Sequence, residues 1–463
     1  MCAVVWPLLS ERRSRTVQFW VVRSRTTIGL AALLVCALAL PVAAAAITDP
    51  IEGPADSRAP ADRITPVATD VVSIYNSGEL RADVAASAEA AARQAGATIA
   101  FGRSASVGMV GVYRGSTPIQ VPAAGFAFPM GTTVLPPEAV GNTMGLDVSA
   151  NLAPDTLVMG QTTAGLRGAK AGDVVRLVAG WGGIVWFRVA AVLPDARIGG
   201  TELLMSTQGG DRLGISSTRQ ALLWNPTSRA AMNTAMANNG LVSTSVRIRR
   251  SWDPPDPDDT IGMARTKALL GEFTYRVNSN GSVTQEAAWQ AANLPSGRRA
   301  IGLGINARCH LGVEPALKAA LAEAAARGVS WTINVGDANL AGGCHYPRFN
   351  RLTPDSTLGF LSRHSWGMAL DTNTRGSCQG CIPDFSKTTA GCTVVQIFRK
   401  HGFAWGGNFL TPDGMHFEYV GERRDLLPYP SRFCANNGAV ALTAAEAGIG
   451  NFFANDGLTV GEQ

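Results

Sequence analysis

Two short segments near the C-terminus of the 463-residue chain carry the side chains best suited to metal chemistry. The first, SRHSWGMALD (362–371), contains His364 and Asp371, and the second, PDGMHFEYV (412–420), contains His416. Catalytic zinc takes three protein ligands from His, Asp, Glu or Cys and leaves a fourth position for water. These three residues are therefore predicted to bind Zn2+.

Glu418 follows His416 by two residues in a stretch whose Phe, Tyr and Val content favours a strand. Residues i and i+2 of a strand project from the same face, so the carboxylate is predicted to lie beside the metal site without being a ligand. Zinc lowers the pKa of its water to about 7. Glu418 is predicted to accept the proton of that water as general base and to pass it later to a leaving amine.

The two segments resemble motifs of the VanY-like zinc D-alanyl-D-alanine carboxypeptidases. SRHSWGMALD fits the pattern S-x-H-x-x-G-x-A-x-D and MHFEY fits H-x-E, while GFAWGG (402–407) and GGCHYPR (342–348) resemble two further motifs of that family. The resemblance spans about residues 270–422. It implies the zinc ligands His364, Asp371 and His416, the base Glu418, and Arg348 as the group that stabilises the oxyanion.

That resemblance also implies a substrate, the peptides of bacterial peptidoglycan. Arg351 lies close enough to Arg348 in the chain to be an alternative for the oxyanion role. The remaining histidines, His310, His345 and His401, lie outside the two metal-binding segments and are predicted to be structural or peripheral. Trp366 and Trp405 are predicted to belong to the core or to a cleft wall.

The N-terminus reads as a targeting region. Residues 1–26 form a basic segment that is predicted to stay in the cytoplasm, and residues 26–48 contain no charge. The segment 27–47 is long enough to span a bilayer, with a cleavable signal peptide as the alternative. Either interpretation exports the rest of the chain, so the protein is predicted to be membrane-anchored with an extracytoplasmic C-terminal region, or secreted.

The rest of the chain divides at two Pro- and Asp-rich stretches. Residues 48–66 are predicted to form a stalk, and 251–260, SWDPPDPDDT, a linker. Between them, 67–250 is predicted to be an α+β spacer or docking domain, with a helix at 79–95 and strands at 173–180, 184–193 and 243–250. This region weakly resembles the extracytoplasmic domain of MacB-type membrane proteins, which implies a membrane-protein partner.

The second body, 261–435, is also predicted to be α+β, with a small antiparallel sheet that helices cover on one side, followed by a tail at 436–463. Strands are predicted at 273–277, 331–335 and 416–420, and helices at 313–327 and 394–401. Six cysteines lie in the last third of the chain, which in an exported protein predicts up to three disulfides. They are Cys309, Cys344, Cys378, Cys381, Cys392 and Cys434.

The net charge of +5 does not indicate a nucleic-acid partner, because five arginines of the first 26 residues supply most of it. Three functions remain open. The first is a zinc peptidase that acts on peptidoglycan stem peptides, as a carboxypeptidase or as an endopeptidase. The second is a zinc-containing module that binds the cell wall without catalysis, and the third is a docking protein for a membrane complex.

Overall fold

The structure is a computed structural model that describes residues 70–76, 78–241, 246–333, 344–350, 358–374, 380–409 and 411–436. The chain divides into two compact units, Met1–Glu52 and Gly53–Gln463, and every described residue belongs to the second. The predicted anchor, the stalk and residues 437–463 of the tail lie outside the described residues. Among the helices that the structure describes, none has the length and apolar character needed to cross a bilayer.

The first half of the described chain contains ten strands and six helices. The strands are β1 (Val71–Tyr75), β2 (Thr98–Arg114), β3 (Thr117–Gln120), β4 (Phe128–Val134), β5 (Thr156–Gly160), β6 (Val174–Val178), β7 (Ile184–Leu193), β8 (Leu203–Met205), β9 (Thr218–Trp224) and β10 (Arg247–Arg250). The helices are α1 (Ala82–Ala95), α2 (Pro137–Thr143), α3 (Leu146–Ser149), α4 (Gln161–Arg167), α5 (Thr207–Leu213) and α6 (Arg229–Asn238).

Six of these strands close into a barrel in the order β2-β4-β8-β5-β7-β6, with β6 paired back to β2. Strand β2 makes closure feasible because it is 17 residues long and changes partner along its length, from β9 at 98–103 to β6 at 108–113. A bulge between Met109 and Gly111 bends it there. The mixed helix and sheet content agrees with the predicted α+β class, but the closed barrel was not predicted.

Local expectations in this half were met in part. Strand β7 has the predicted limits, and β6 lies within 173–180. Helix α1 ends at Ala95 before a left-handed Gly96, as predicted, but it begins at Ala82 instead of residue 79. The later start agrees with the backbone of Arg81, which is extended at ψ 147° and forms the N-cap, while the Leu80 amide donates to the Thr218 carbonyl of β9 at 2.7 Å.

The second half of the described chain contains four helices and seven short strands. The helices are α7 (Met263–Leu270), α8 (Ala287–Asn293), α9 (Glu314–Ala326) and α10 (Thr389–Lys400). The strands are β11 (Tyr275–Val277), β12 (Val283–Gln285), β13 (Arg299–Gly302), β14 (Ile305–Ala307), β15 (Ala369–Asp371), β16 (Phe403–Trp405) and β17 (His416–Tyr419).

A three-stranded antiparallel sheet, in the order β15-β17-β16, lies at the centre of this half. Helix α10 packs on one of its faces, where the rings of Phe398 and Phe417 are 4.1 Å apart and Phe385 lies beside them. Trp366 and Trp405 are wholly buried, so both are core residues. The predicted helix at 394–401 proves longer at its N-terminus, because the Thr388 hydroxyl caps it by accepting from the Gly391 amide.

One predicted strand is wrong. Residues 330–332 form a 3₁₀ turn, not the start of a strand at 331–335, and Trp331 is 70% exposed. Aromatic and β-branched residues form a strand only where a neighbouring strand and a half-buried surface accept them. Residues 334 and 335 lie outside the described chain.

The Asp/Pro-rich segment 251–260 contains neither helix nor strand, but it is tightly held. Asp256 and Asp259 pair with Arg247 of β10, and Asp258 pairs with Arg399 of α10, and all three aspartates are buried. Charges are found inside proteins when they are paired in this way. The predicted domain boundaries on either side of this segment stay a prediction.

Two disulfides support the second half, Cys309–Cys344 and Cys392–Cys434. Cys381 is also disulfide-bonded, while Cys378 lies outside the described residues. A further buried ion pair joins the two halves of the structure, since Lys267 of α7 lies 2.8 Å from Glu202, which precedes β8.

Candidate metal centre

Strands β15 and β17 bring two of the predicted ligands, Asp371 and His416, together. Asp371, the last residue of β15, lies directly opposite His416, the first residue of β17. Directly opposed residues of an antiparallel pair project to the same side of the sheet. His364 approaches from the 3₁₀ turn at Arg363–Trp366, which ends at Gly367 with a left-handed φ of 67°.

The three side chains converge on one point. Asp371 Oδ1 is 3.1 Å from His416 Nδ1, and Asp371 Oδ2 is 3.3 Å from His364 Nε2. One ligand atom from each residue lies within 4.8 Å of the others, and within the described parts of the chain this is the single group that meets such a criterion. Two imidazole nitrogens and one carboxylate oxygen form a donor set that suits zinc.

The charge of this cluster is set by the two histidines beside Asp371. Burial alone would raise the pKa of the Asp371 carboxyl, but His364 and His416 outweigh burial and hold that pKa well below its usual range. Both imidazoles are almost fully buried. Asp371 is therefore an anion at neutral pH, which is the form that binds a metal.

The remaining ring nitrogen of His364 is also occupied. Its Nδ1 lies 3.1 Å from the carbonyl oxygen of Cys344, which can only accept a hydrogen bond. A proton on Nδ1 would leave the lone pair of Nε2 available to a metal held beside Asp371. Because Cys344 is bridged to Cys309, this disulfide fixes the carbonyl that orients His364.

The turn that carries His364 is supported from several sides. The Ser362 hydroxyl accepts from the His364 amide at 3.2 Å, so Ser362 caps the turn. Gln285 donates to the Ser365 carbonyl at 2.6 Å and contacts His345 Nε2 at 2.7 Å. Burial and then the charge of Arg308 lower the pKa of His345 to about 4. His345 thus acts as a neutral structural histidine.

The two other histidines outside the metal-binding segments, His310 and His401, contact neighbouring groups. His310 contacts the Leu270 carbonyl oxygen through Nε2, and burial lowers its pKa. His401 contacts Glu323 at 2.7 Å.

The Trp-Gly-Gly loop predicted at 402–407 lies directly behind His416. A Cβ added at Gly406 would come within 3.1 Å of the Cβ of His416 and 2.6 Å of the Asp413 carbonyl oxygen. Glycine is therefore required for this close approach. Phe409 follows the loop, and the centre of its ring is 5.9 Å from that of His416, so it forms part of the wall around this histidine.

Arg348 is adjacent to the site through its backbone. Its carbonyl accepts from the Ser362 amide at 2.9 Å, and its own amide contacts the Ser365 hydroxyl at 3.3 Å. Its guanidinium is half-buried and donates to the Phe349 carbonyl at 3.1 Å. The segment that carries Arg348 thus runs beside the turn that carries His364, whereas the alternative, Arg351, lies outside the described residues.

Glu418 lies on the same side of β17 as His416, as the alternation of a strand predicts. Its Oε2 is 3.5 Å from His416 Nε2, and its Oε1 is 3.3 Å from Arg363 Nε. Sequence reasoning missed Arg363, although it stands inside the motif beside His364. The sequence did carry a signal for it, because Arg363 is a charged residue between the buried Ser362 and the candidate ligand His364.

Comparison with known proteins gives one family match. Residues 356–419 match the model of a family described as D-alanyl-D-alanine carboxypeptidase. The matched segment contains His364, Asp371, His416 and Glu418, whereas Arg348 precedes it. No curated protein matches the chain. The weak resemblance of residues 67–250 to MacB-type proteins lies outside the match and stays a prediction. The segment that carries the candidate metal centre is thus similar to a peptidase family.

Proposed function

We propose that this protein is a zinc metallopeptidase that hydrolyses an amide bond in peptidoglycan stem peptides, as a D-Ala-D-Ala carboxypeptidase. One observation carries the proposal: His364, Asp371 and His416 present two imidazole nitrogens and a carboxylate within 4.8 Å of one another. The family match over 356–419 supports the reaction class.

Each residue has a defined task in this proposal. His364 and His416 would hold the metal through Nε2 and Nδ1, the nitrogens that face Asp371, and Asp371 would supply the charged ligand. Zinc bound there would supply a Lewis acid and an activated water. Arg348 would donate to the oxyanion that develops on the carbonyl under attack.

The base of the reaction is a separate question. The sequence predicts Glu418 for this task, and that assignment stays a prediction. The contacts of Glu418 lie at the Nε2 edge of His416, whereas Asp371 lies at the Nδ1 edge. This placement supports a different task for Glu418.

We further propose the setting of the reaction. An N-terminal membrane anchor, or a secretion signal, would place the enzyme outside the cytoplasm, where the peptides of the wall are its partners. Disulfides between Cys309 and Cys344 and between Cys392 and Cys434 fit an oxidising compartment. The barrel domain would be a spacer or would bind a membrane protein.

The test uses the full chain, loaded with zinc under oxidising conditions and incubated with pentapeptide muropeptides. Loss of one terminal alanine mass is expected for the wild type, and Asp371→Ala should abolish it. Asp147→Asn, which alters an exposed ion pair with Arg197, is the matched control and should keep full activity.

Release of a larger fragment would instead establish an endopeptidase of the same reaction class. Intact muropeptides in the presence of one bound zinc per chain would contradict the peptidase proposal. A non-catalytic module that binds the cell wall would then be favoured.

A further inference from the structure

The partners of Glu418 suggest that it acts on His416 and not on the substrate. Glu418 lies between two alanines of the neighbouring strands, Ala369 on β15 and Ala404 on β16. These small side chains leave room for the carboxylate within the sheet face. The Glu418 side chain is 0% exposed, so substrate and bulk water do not reach it in this conformation.

The two nitrogens of His416 face two different acids. Nδ1 is 3.1 Å from Asp371 Oδ1, and Nε2 is 3.5 Å from Glu418 Oε2. Neutral imidazole carries one proton, and the nitrogen without it is the one that binds a metal. A metal held between Nδ1 and Asp371 would leave the proton of His416 on Nε2, where the carboxylate of Glu418 can accept a hydrogen bond from it.

The negative charge of Glu418 is balanced inside the protein by Arg363. The two side chains are 3.3 Å apart, with 3% of Arg363 exposed. The guanidinium of Arg363 donates to the Thr266 hydroxyl at 2.9 Å and to the Ile261 carbonyl at 2.5 Å, which anchors it beside α7. A buried carboxylate is tolerated when it is paired in this way.

We propose that Glu418 is a positioning residue that fixes the tautomer and the orientation of His416, and that Arg363 holds Glu418 in place. Arg363 and His364 are consecutive residues of one turn. This turn therefore supplies the ligand His364 and also supports Glu418, which contacts the ligand His416. The proposal rests on the proposed zinc site, and it removes Glu418 from the role of general base.

The first experiment measures the zinc affinity of the full chain by competition with a chromogenic chelator. Substitution of a residue that hydrogen-bonds to a metal ligand reduces metal affinity by roughly 10–100-fold. Glu418→Gln and Glu418→Ala are expected to lose zinc affinity in this range, with the larger loss for alanine. Glu422→Gln is the matched control, because Glu422 is likewise paired with arginine, here Arg265 and Arg424, but none of its described contacts is with a candidate ligand.

If Glu418 were a general base, its substitution would reduce hydrolysis without reducing zinc affinity. Loss of hydrolysis in Glu418→Gln with zinc affinity within about twofold of the wild type would overturn the proposal, since roughly 10-fold or more is expected for a residue behind a ligand. Absence of zinc binding by the wild type would overturn the proposed function itself, so the two failures are distinguishable. The melting temperature of each metal-free variant shows whether it has folded.

A second measurement needs no variant. The nitrogen shifts of histidine in the zinc-loaded wild type report which ring nitrogen carries the proton. We expect His416 to be protonated on Nε2, and protonation on Nδ1 would overturn the proposal even if every Glu418 variant failed to fold.

Discussion

Replacing Asp258 by asparagine tests whether the Asp/Pro-rich segment 251–260 is part of the core. Asp258 Oδ1 accepts from Arg399 Nε at 2.9 Å and from the Trp405 amide at 3.0 Å. Its Oδ2 accepts from Arg399 Nη2 at 2.5 Å and from Asn408 Nδ2 at 2.7 Å. In Asp258→Asn, the new NH2 group would therefore face two donors whichever way the amide is turned.

The magnitude follows from the burial of the pair. Neither the Asp258 nor the Arg399 side chain is exposed, and Arg399 would lose its charged partner. Removing one partner of a buried ion pair costs about 3–5 kcal/mol. In a unit of this size, each kcal/mol of lost stability lowers the melting temperature by about 2 °C. The melting temperature of Asp258→Asn should therefore fall by about 6–10 °C.

Thermal and urea denaturation of the full chain would measure this change. Asp147→Asn is the control, because its exposed pair with Arg197 should contribute no more than about 1 kcal/mol. Adding Arg399→Met to Asp258→Asn should cost less than the sum of the two single changes, since the partners are coupled. A melting temperature for Asp258→Asn equal to that of the control would refute the reasoning.

Two further predictions concern the metal site and acid stability. The double change Cys309→Ser/Cys344→Ser frees the carbonyl that orients His364, so zinc affinity measured by chelator competition should fall, and equal affinity in the two proteins would contradict this role. Burial opposes ionisation of Glu422, but Arg424 and Arg265 together outweigh it and lower the pKa of Glu422 to about 2, below its ordinary value of 4.5. This stabilisation is complete above about pH 4.5 and is lost as the pH falls towards 2. Denaturation midpoints of Glu422→Gln should therefore vary less with pH over that interval, and identical profiles would count against the pairing.

Local patterns in the sequence predicted elements that depend on local interactions. Helix α9 covers Glu314–Ala326 where its apolar spacing predicted 313–327, and β7 has the predicted limits. Helical periodicity and strand composition act over a few residues, so they can be read from a single sequence. The wrong strand at 331–335 shows the limit, because a strand also needs a partner.

The barrel could not be predicted from such patterns. Its closure depends on β2 pairing with β6 as well as β4, which is a choice of register and bend between distant segments. The composition of each strand is compatible with an open sheet as well as with a barrel. Packing of the whole unit decided between them.

The three candidate ligands could be predicted from sequence because the spacing inside two short motifs is local, whereas only the folded chain brings His364, Asp371 and His416 together. Only the tertiary structure decided which groups contact the candidate ligands and their neighbours. The Cys344 carbonyl behind His364, and Arg363 beside Glu418, result from chain segments that meet only after folding. Amino-acid type can identify a side chain able to bind zinc, but the proton and orientation of that side chain depend on neighbours that the order of residues does not reveal.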